Sequence, residues 1–225
     1  MKKQLPRRQQ SGFTLVEIAI VLVIIGLLLG GVLKGQELIN SAKVKNLASD
    51  FRTIPTYIYG YQDKFKALPG DDSAVVAHLP ACVAPCVAGG GNGVITGLWD
   101  SITATDETWQ FWAHVRLANL AAGATTWTAA ADTDPYSPKN SVGGRLGISS
   151  MTTGQVQILG MTGTYQVCSK GIQGKFAKQL DVQMDDGNET TGSMRSVPDG
   201  TAVGTAATAI TAALEGNNYT VCLAF

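Results

Sequence analysis

Histidine is scarce in this chain, which contains only His78 and His114 among its 225 residues. The sequence also lacks the G-x-S-x-G and H-E-x-x-H motifs of serine hydrolases and zinc peptidases. No nucleophile–base pair can be assembled from its residues, so the sequence predicts that the protein is not an enzyme. The lack of histidine also argues against zinc at the C-x3-C pair Cys82 and Cys86, because no second pair of ligands lies nearby in the sequence.

Charge is sparse and balanced, with 17 basic and 17 acidic residues. This balance does not predict a nucleic-acid-binding surface, and no specific nucleic-acid partner is expected. Acidic residues are absent before Glu17, whereas Lys2, Lys3, Arg7 and Arg8 make the first residues basic.

A long apolar run follows this basic segment. Residues 13–33 contain one charge, Glu17, and no proline. A helix of 21 residues rises about 30 Å, which is the hydrocarbon thickness of a bilayer. The basic flank predicts that Met1 stays in the cytoplasm and that the chain after residue 33 is exported.

Glu17 is unusual in such a run, because a carboxylate inside a membrane helix costs at least ~2.5 kcal/mol. Residues 12–17, Gly-Phe-Thr-Leu-Val-Glu, follow a short basic leader and precede an apolar helix. This arrangement resembles the signal of type IV prepilins and type II secretion pseudopilins. The resemblance implies cleavage between Gly12 and Phe13 by a membrane peptidase and N-methylation of Phe13. It also implies that Glu17 pairs with the terminal amine of a neighbouring subunit during assembly.

The expected fold is α+β and type IV pilin-like, with a long N-terminal helix packed on a small antiparallel-sheet domain. We expect a cleaved leader over residues 1–12, a helix over 13–66 and a globular head over 67–225. Residues 13–33 form the transmembrane or filament-core part of the helix, and residues 34–66 its amphipathic part. Apolar residues recur there at helical spacing: Val44, Leu47, Phe51, Ile54, Ile58, Tyr61 and Phe65.

Four cysteines, Cys82, Cys86, Cys168 and Cys222, all follow the membrane segment. In an exported domain they predict two disulfides, for which three connectivities are possible. Cys82–Cys86 with Cys168–Cys222 is the favoured pairing. In the strands predicted around Cys168 and Cys222, each cysteine lies on the face opposite the bulkier residues.

Shorter patterns predict the remaining elements of the domain. Asp71 is expected to cap a short helix that runs to Leu79. The glycine-rich residues 89–93 lack the Lys-Ser/Thr of a phosphate-binding loop and predict a flexible surface loop. Trp109 and Trp112 are interpreted as core residues of a helix over residues 106–122 rather than as a ligand platform. Further predictions are strands over 155–160, 164–168 and 218–225, and a helix over 175–186.

Asp185 and Asp186 then fall at the C-terminal end of a helix, where the dipole disfavours anions. Arg195 or Lys175 is one source of compensating charge. A calcium ion held by Asp185, Asp186, Asn188 and loop carbonyls is the alternative. No other cofactor is expected.

The leading hypothesis for function is a structural subunit of a type IV pilus-like filament. The expected partners are other pilins in a homo-oligomeric or mixed filament, the prepilin peptidase, an inner-membrane assembly platform and the membrane itself. The expected location is the inner membrane with an exported C-terminal domain, and then an extracellular pilus or a periplasmic pseudopilus. A pseudopilin of a type II secretion system is the alternative, and a signal-anchored periplasmic enzyme is a distant one.

Overall fold

The computed structural model describes residues 14–128, 131 and 133–225. The chain divides into two compact units, Met1–Ala42 and Lys43–Phe225. The second is called the head unit below. Helix α1, Leu15–Phe65, contributes its first part to one unit and its second part to the other.

The described part of the first unit is a single apolar helix. Every residue from 15 to 34 is exposed, and the most apolar 18-residue window has a mean hydropathy of 2.8. The helix is therefore long and apolar enough to cross a membrane.

The second part of α1 belongs to the core of the head unit. Its apolar stripe has the predicted spacing, and the buried side chains are Val44, Leu47, Ala48, Phe51, Ile54, Ile58 and Tyr61. Pro55 lies inside the helix. The compact head unit therefore begins at Lys43, within α1, rather than at the end of the helix at Phe65, because these side chains of α1 are part of its core.

A four-stranded antiparallel sheet forms the other main part of the head unit. The strands are β1 (Leu146–Ser150), β3 (Tyr165–Gln173), β4 (Met194–Pro198) and β6 (Asn218–Ala224), in the spatial order β1-β3-β6-β4. Two short strands, β2 (Ile158–Leu159) and β5 (Thr205–Ala206), pair in parallel. The α+β class and the long helix packed on a small antiparallel sheet are thus confirmed.

The described residues of the head unit also form three further α-helices, α2 (Val75–His78), α3 (Glu107–Leu117) and α4 (Gly174–Met184), and a short 3-10 helix, Ala212–Leu214. Trp109 and Trp112 of α3 are buried in the main core, as predicted. A smaller apolar cluster contains Trp99, Ile158, Met161, Val197 and the cystine Cys168–Cys222.

The observed elements differ from the sequence predictions at several boundaries. Helix α3 ends at Leu117, five residues early, and Asn119 soon after it adopts φ +59°, a left-handed conformation that asparagine tolerates and that stops a helix. Strand β3 is longer than predicted and contains an irregularity between Ser169 and Ile172, where Gly171 has φ +78°. Strands β1, β4 and β5 were not predicted. Of the strand predicted over 155–160, only β2 is present.

Candidate functional site

The N-terminal segment places Thr14 and Glu17 in one hydrogen-bonded motif at the start of α1. The Glu17 N–H donates to Thr14 Oγ1 at 3.3 Å, and the Thr14 N–H donates to Glu17 Oε2 at 2.9 Å. The Thr14 hydroxyl also donates to Glu17 Oε2 at 2.9 Å. These reciprocal bonds form a capping box, which satisfies backbone donors that the first helical turn leaves free. Gly12 and Phe13, the predicted cleavage and methylation residues, lie outside the described residues.

The capping box leaves the Glu17 carboxylate accessible. Glu17 is exposed, and the bonds to Thr14 use only Oε2. A further donor can therefore bind Oε1 without displacing Thr14. The carboxylate also lies in the first turn of α1, near the positive end of the helix dipole.

Four glycines in the first part of α1 have no role in the described subunit itself. A Cβ built at Gly26, Gly30, Gly31 or Gly35 meets no described atom within 4 Å. Glycine in a helix interior costs about 1 kcal/mol relative to alanine. The fold of the subunit therefore does not explain why glycine occupies these positions.

In the head unit, two buried carboxylates bind the glycine-rich residues 89–93, called the clamped loop below. Asp71 accepts from the Asn92 and Gly93 N–H groups at 3.0 and 2.7 Å, one on each oxygen. Glu107 accepts the Gly90 N–H through Oε1 at 2.7 Å, and its Oε2 accepts from Thr96. Residues 90–93 are exposed, as expected of a surface loop, and the two buried carboxylates hydrogen-bond its backbone.

Asp71 also does not cap helix α2 as predicted. The N-cap residue of α2 is Ala74, which makes no side-chain cap. The side chain of Asp71 is instead buried at the clamped loop.

The neighbouring Asp72 is the centre of a buried polar network. Its Oδ2 accepts from the Tyr61 hydroxyl and from His78 Nδ1, both at 2.7 Å, and its Oδ1 accepts the Ala74 N–H. Burial raises the pKa of Asp72, but the bonds from His78, Tyr61 and Ala74 together lower it below its ordinary value of 3.8. Burial and the adjacent carboxylate raise the pKa of Tyr61, which therefore remains a donor.

The second histidine, His114, is a buried structural residue. Its Nδ1 accepts the Gly70 N–H at 2.9 Å, so Nε2 carries the proton and donates to the Val87 carbonyl oxygen at 3.0 Å. Burial lowers the pKa of this imidazole, which stays neutral. His114 thus has both nitrogens occupied by the fold.

Both favoured disulfides are present in the structure. Cys82–Cys86 closes a short loop after α2, and Cys168–Cys222 joins directly paired residues of β3 and β6. The second bridge lies on the side of the sheet covered by Trp99 and Ile158. This placement agrees with the pleat argument, in which the cysteines face away from the bulkier residues of their strands.

Three aspartates converge where α4 ends. Asp181 lies in the last turn of α4, and Asp185 and Asp186 follow it. Their ligand atoms all lie within 4.8 Å of one another. Asn188 is not part of this group, because its Oδ1 accepts from the Thr190 N–H and hydroxyl.

A comparison with known families identifies the N-terminal segment. Residues 7–33 match the model of the prokaryotic N-terminal methylation motif. The chain carries a prepilin-type signal. Type IV pilins and pseudopilins share this signal, so the match supports a pilin- or pseudopilin-like protein, a structural subunit rather than an enzyme.

The match ends at residue 33 and does not describe the head unit. The chain matches no curated protein and no solved structure. The interpretation of the head unit therefore depends on its own geometry.

Sequence reasoning did not predict the roles of the buried carboxylates Asp71 and Glu107 of the clamped loop, Asp72 and Asp181. For Asp71 and Glu107 no local signal exists, because their partners lie 11 to 22 residues away in the sequence. Asp181 did carry a signal. It precedes Asp185 by four residues, a spacing that places two side chains on one face of a helix.

Proposed function

We propose that this protein is a structural subunit of a type IV pilus-like filament. The observation that carries the proposal is an exposed apolar helix, residues 15–33, within a prepilin-type signal. A helix that is apolar all round is stable only in lipid or among other apolar helices. A filament subunit occupies both environments in turn.

Assembly begins in the inner membrane, where the leader is removed. Cleavage after Gly12 removes Lys2, Lys3, Arg7 and Arg8, which changes the formal charge of the chain from zero to about −4 before its termini are counted. It also creates a free amine at Phe13. Glu17 of one subunit then accepts this amine of the next, and two groups that are each unfavourable in lipid neutralise one another.

Packing of helices replaces lipid contacts during this step. Association of helices from a membrane relies on close approach of their backbones, which small residues permit. Gly26, Gly30 and Ala19, which lies about two turns before Gly26, are such residues. The glycines that the single subunit does not require are thus explained by contacts with its neighbours.

The two disulfides are in keeping with an exported subunit, whether of a pilus or of a secretion pseudopilus. Disulfides persist both outside the cell and in the bacterial periplasm, where they protect small domains from unfolding. The glycine-, threonine- and alanine-rich loops of the head unit are in keeping with a surface-exposed subunit. A pseudopilin of a type II secretion system shares the same helix and signal and remains the alternative.

Electron microscopy of sheared surface filaments, with intact mass spectrometry of their subunit, tests the proposal. We expect filaments built from a chain that begins at N-methylated Phe13 and is lighter by four hydrogens for its two disulfides. Processed protein confined to membranes, with filaments of another composition, would favour a minor pilin or the pseudopilin. An unprocessed Met1–Phe225 chain would overturn the assignment to pilin-like proteins.

A further inference from the structure

The acidic cluster, defined as Asp181, Asp185 and Asp186, has the dimensions of a cation site. Each residue offers one carboxylate oxygen, and the three oxygens lie within 4.8 Å of one another. Carboxylate oxygens this close together can be ligands of one divalent cation. Three carboxylates in one site favour calcium, because magnesium is usually bound through only one or two carboxylates and keeps several of its water ligands.

Asp181 supplies the independent evidence for a ligand. The residue is only 1% exposed, and neither carboxylate oxygen has a hydrogen-bond partner among the described residues. Buried carboxylates are normally hydrogen-bonded or paired, because an isolated buried charge is strongly unfavourable. Its carboxylate lies beside those of Asp185 and Asp186, so its missing partner belongs in the middle of the acidic cluster.

Repulsion between the negative charges of the acidic cluster is unfavourable when no cation is bound. Burial raises the pKa of Asp181, and together with the negative charges of Asp186, Asp185 and Glu189 it brings this pKa to about 6, although the Gly187 N–H offsets part of the rise. At neutral pH Asp181 is still mostly ionised, and it lies at the negative end of the dipole of α4.

The two basic residues that the sequence suggested as compensating charges make their own contacts elsewhere, although, besides the hydrogen bond from Thr191, the charge of Arg195 helps to lower the pKa of Asp186. Arg195 donates from Nε to the Gly192 carbonyl oxygen at 3.2 Å and from Nη1 to that of Leu159 at 3.1 Å. Lys175 lies at the opposite end of α4, over the ring of Phe176. Ten residues of helix separate Lys175 from Asp185 by about 15 Å.

The fold holds Asp185 and Asp186 in place for such a ligand. Asp185 Oδ2 accepts the Met194 N–H at 2.8 Å, and a Cβ at Gly192 would approach this oxygen to 1.9 Å, so Asp185 requires glycine there. Asp186 accepts from the Asn188 N–H through Oδ1 and from the Thr191 hydroxyl through Oδ2. Each oxygen keeps a second lone pair for a cation.

We propose that Asp181, Asp185 and Asp186 bind one calcium ion, which joins the end of α4 to the loop before β4. Carboxylate oxygens are the ligands that calcium prefers, and Asp186 is exposed, so the ion has access from solvent and keeps water ligands. The affinity expected of an extracellular site is on the order of 10⁻⁴ to 10⁻³ M. The proposal differs from the sequence expectation in its third ligand, which is Asp181 rather than Asn188.

Calorimetric titration of the full-length chain in detergent, stripped with EDTA and then given CaCl2 or MgCl2, tests this site. Wild type is compared with Asp181→Asn, with Asp186→Asn and with the matched control Asp63→Asn, which removes an equally charged but 90% exposed side chain. We expect calcium binding in wild type and in the control, and a Kd at least tenfold weaker in both cluster variants. Thermal unfolding monitored by tryptophan fluorescence provides a second readout.

In the thermal unfolding measurement, Asp181→Asn distinguishes a carboxylate that binds a cation from one that only stabilises the fold. Without calcium this variant is expected to have a Tm no lower than wild type, because it removes a buried charge, and its Tm should not rise with calcium. A wild-type protein that shows neither heat nor a Tm shift at about 10 mM calcium, ten times the weakest affinity expected, would overturn the proposal. Equal affinity for magnesium would overturn the assignment to calcium. If Asp181→Asn does not fold, Asp186→Asn decides alone, since Asp186 is on the surface.

Discussion

At the scale of single residues, Glu17 combines two interactions that are separable by experiment. Within the subunit it closes the capping box with Thr14, and in the proposed filament it accepts the amine of a neighbouring Phe13. The first interaction needs only a hydrogen-bond acceptor, and the second needs a negative charge. Glutamine can serve in a capping box as well as glutamate.

Substitution of Glu17 tests which interaction assembly requires. We expect Glu17→Gln and Glu17→Ala both to be cleaved and both to assemble poorly, because loss of one partner of a buried ion pair costs about 3–5 kcal/mol at each contact. The yield of sheared filaments, with leader cleavage followed by mass spectrometry, is the measurement. Normal filaments from Glu17→Gln would show that the cap, rather than the charge, is what assembly needs.

Asp72 makes the stability of the head unit sensitive to acidic pH. Because its pKa in the folded state lies below 3.8, its stabilising effect is complete above that pH and is lost as pH falls through the lower, folded value. Asp72→Ala is expected to lower the free energy of unfolding by about 1–3 kcal/mol, since it leaves Tyr61 and His78 without their acceptor.

Denaturant unfolding followed by tryptophan fluorescence, from about pH 5 to about pH 2, measures this effect. Wild type and the exposed control Asp63→Ala should lose stability more steeply than Asp72→Ala as pH falls. Parallel curves for all three proteins would mean that the Asp72 network has no role in acid sensitivity.

At the scale of elements, local patterns predicted the helices well and the loops poorly. The stripe from Val44 to Tyr61 is a property of neighbouring residues on one helix, so its spacing was enough to predict burial. The clamped loop depends on Asp71 and Glu107, whose partners are distant in sequence, and its glycines alone indicated only mobility. Strand β4 was missed because it is defined by its pairing with β6 rather than by alternation of its own side chains.

The two disulfides close loops of very different length. Cys168 and Cys222 are 54 residues apart, whereas Cys82 and Cys86 are four apart. In the chain-entropy model the long bridge contributes about 4 kcal/mol and the short one about 2 kcal/mol. Replacing each pair by two serines should therefore lower the free energy of unfolding about twice as much for Cys168 and Cys222. Denaturant unfolding of the two double variants measures the difference, and equal losses would show that loop length does not determine their effect.

At the scale of the whole molecule, the chain combines an apolar helix suited to lipid with a head unit suited to water. Residues 15–33 expose apolar side chains throughout, whereas the head unit has its own apolar core and a charged surface. The long apolar run and the amphipathic stripe are both visible without a structure, but the sequence placed the start of the head at residue 67, whereas the compact unit begins at Lys43. The signal that defines the pilin-like role lies in the first unit, and the acidic cluster lies in the second.

The bridge between β3 and β6 also sets how far the chain can be stretched. An extended chain reaches about 3.5 Å per residue, so the segment between Cys168 and Cys222 holds roughly 190 Å of contour length. A pulling force on the two ends of the subunit passes through the disulfide and cannot draw this segment out while the bond is intact. Even a head unit that loses its fold under load therefore keeps residues 168–222 as a closed loop, which limits the extensibility of the proposed filament.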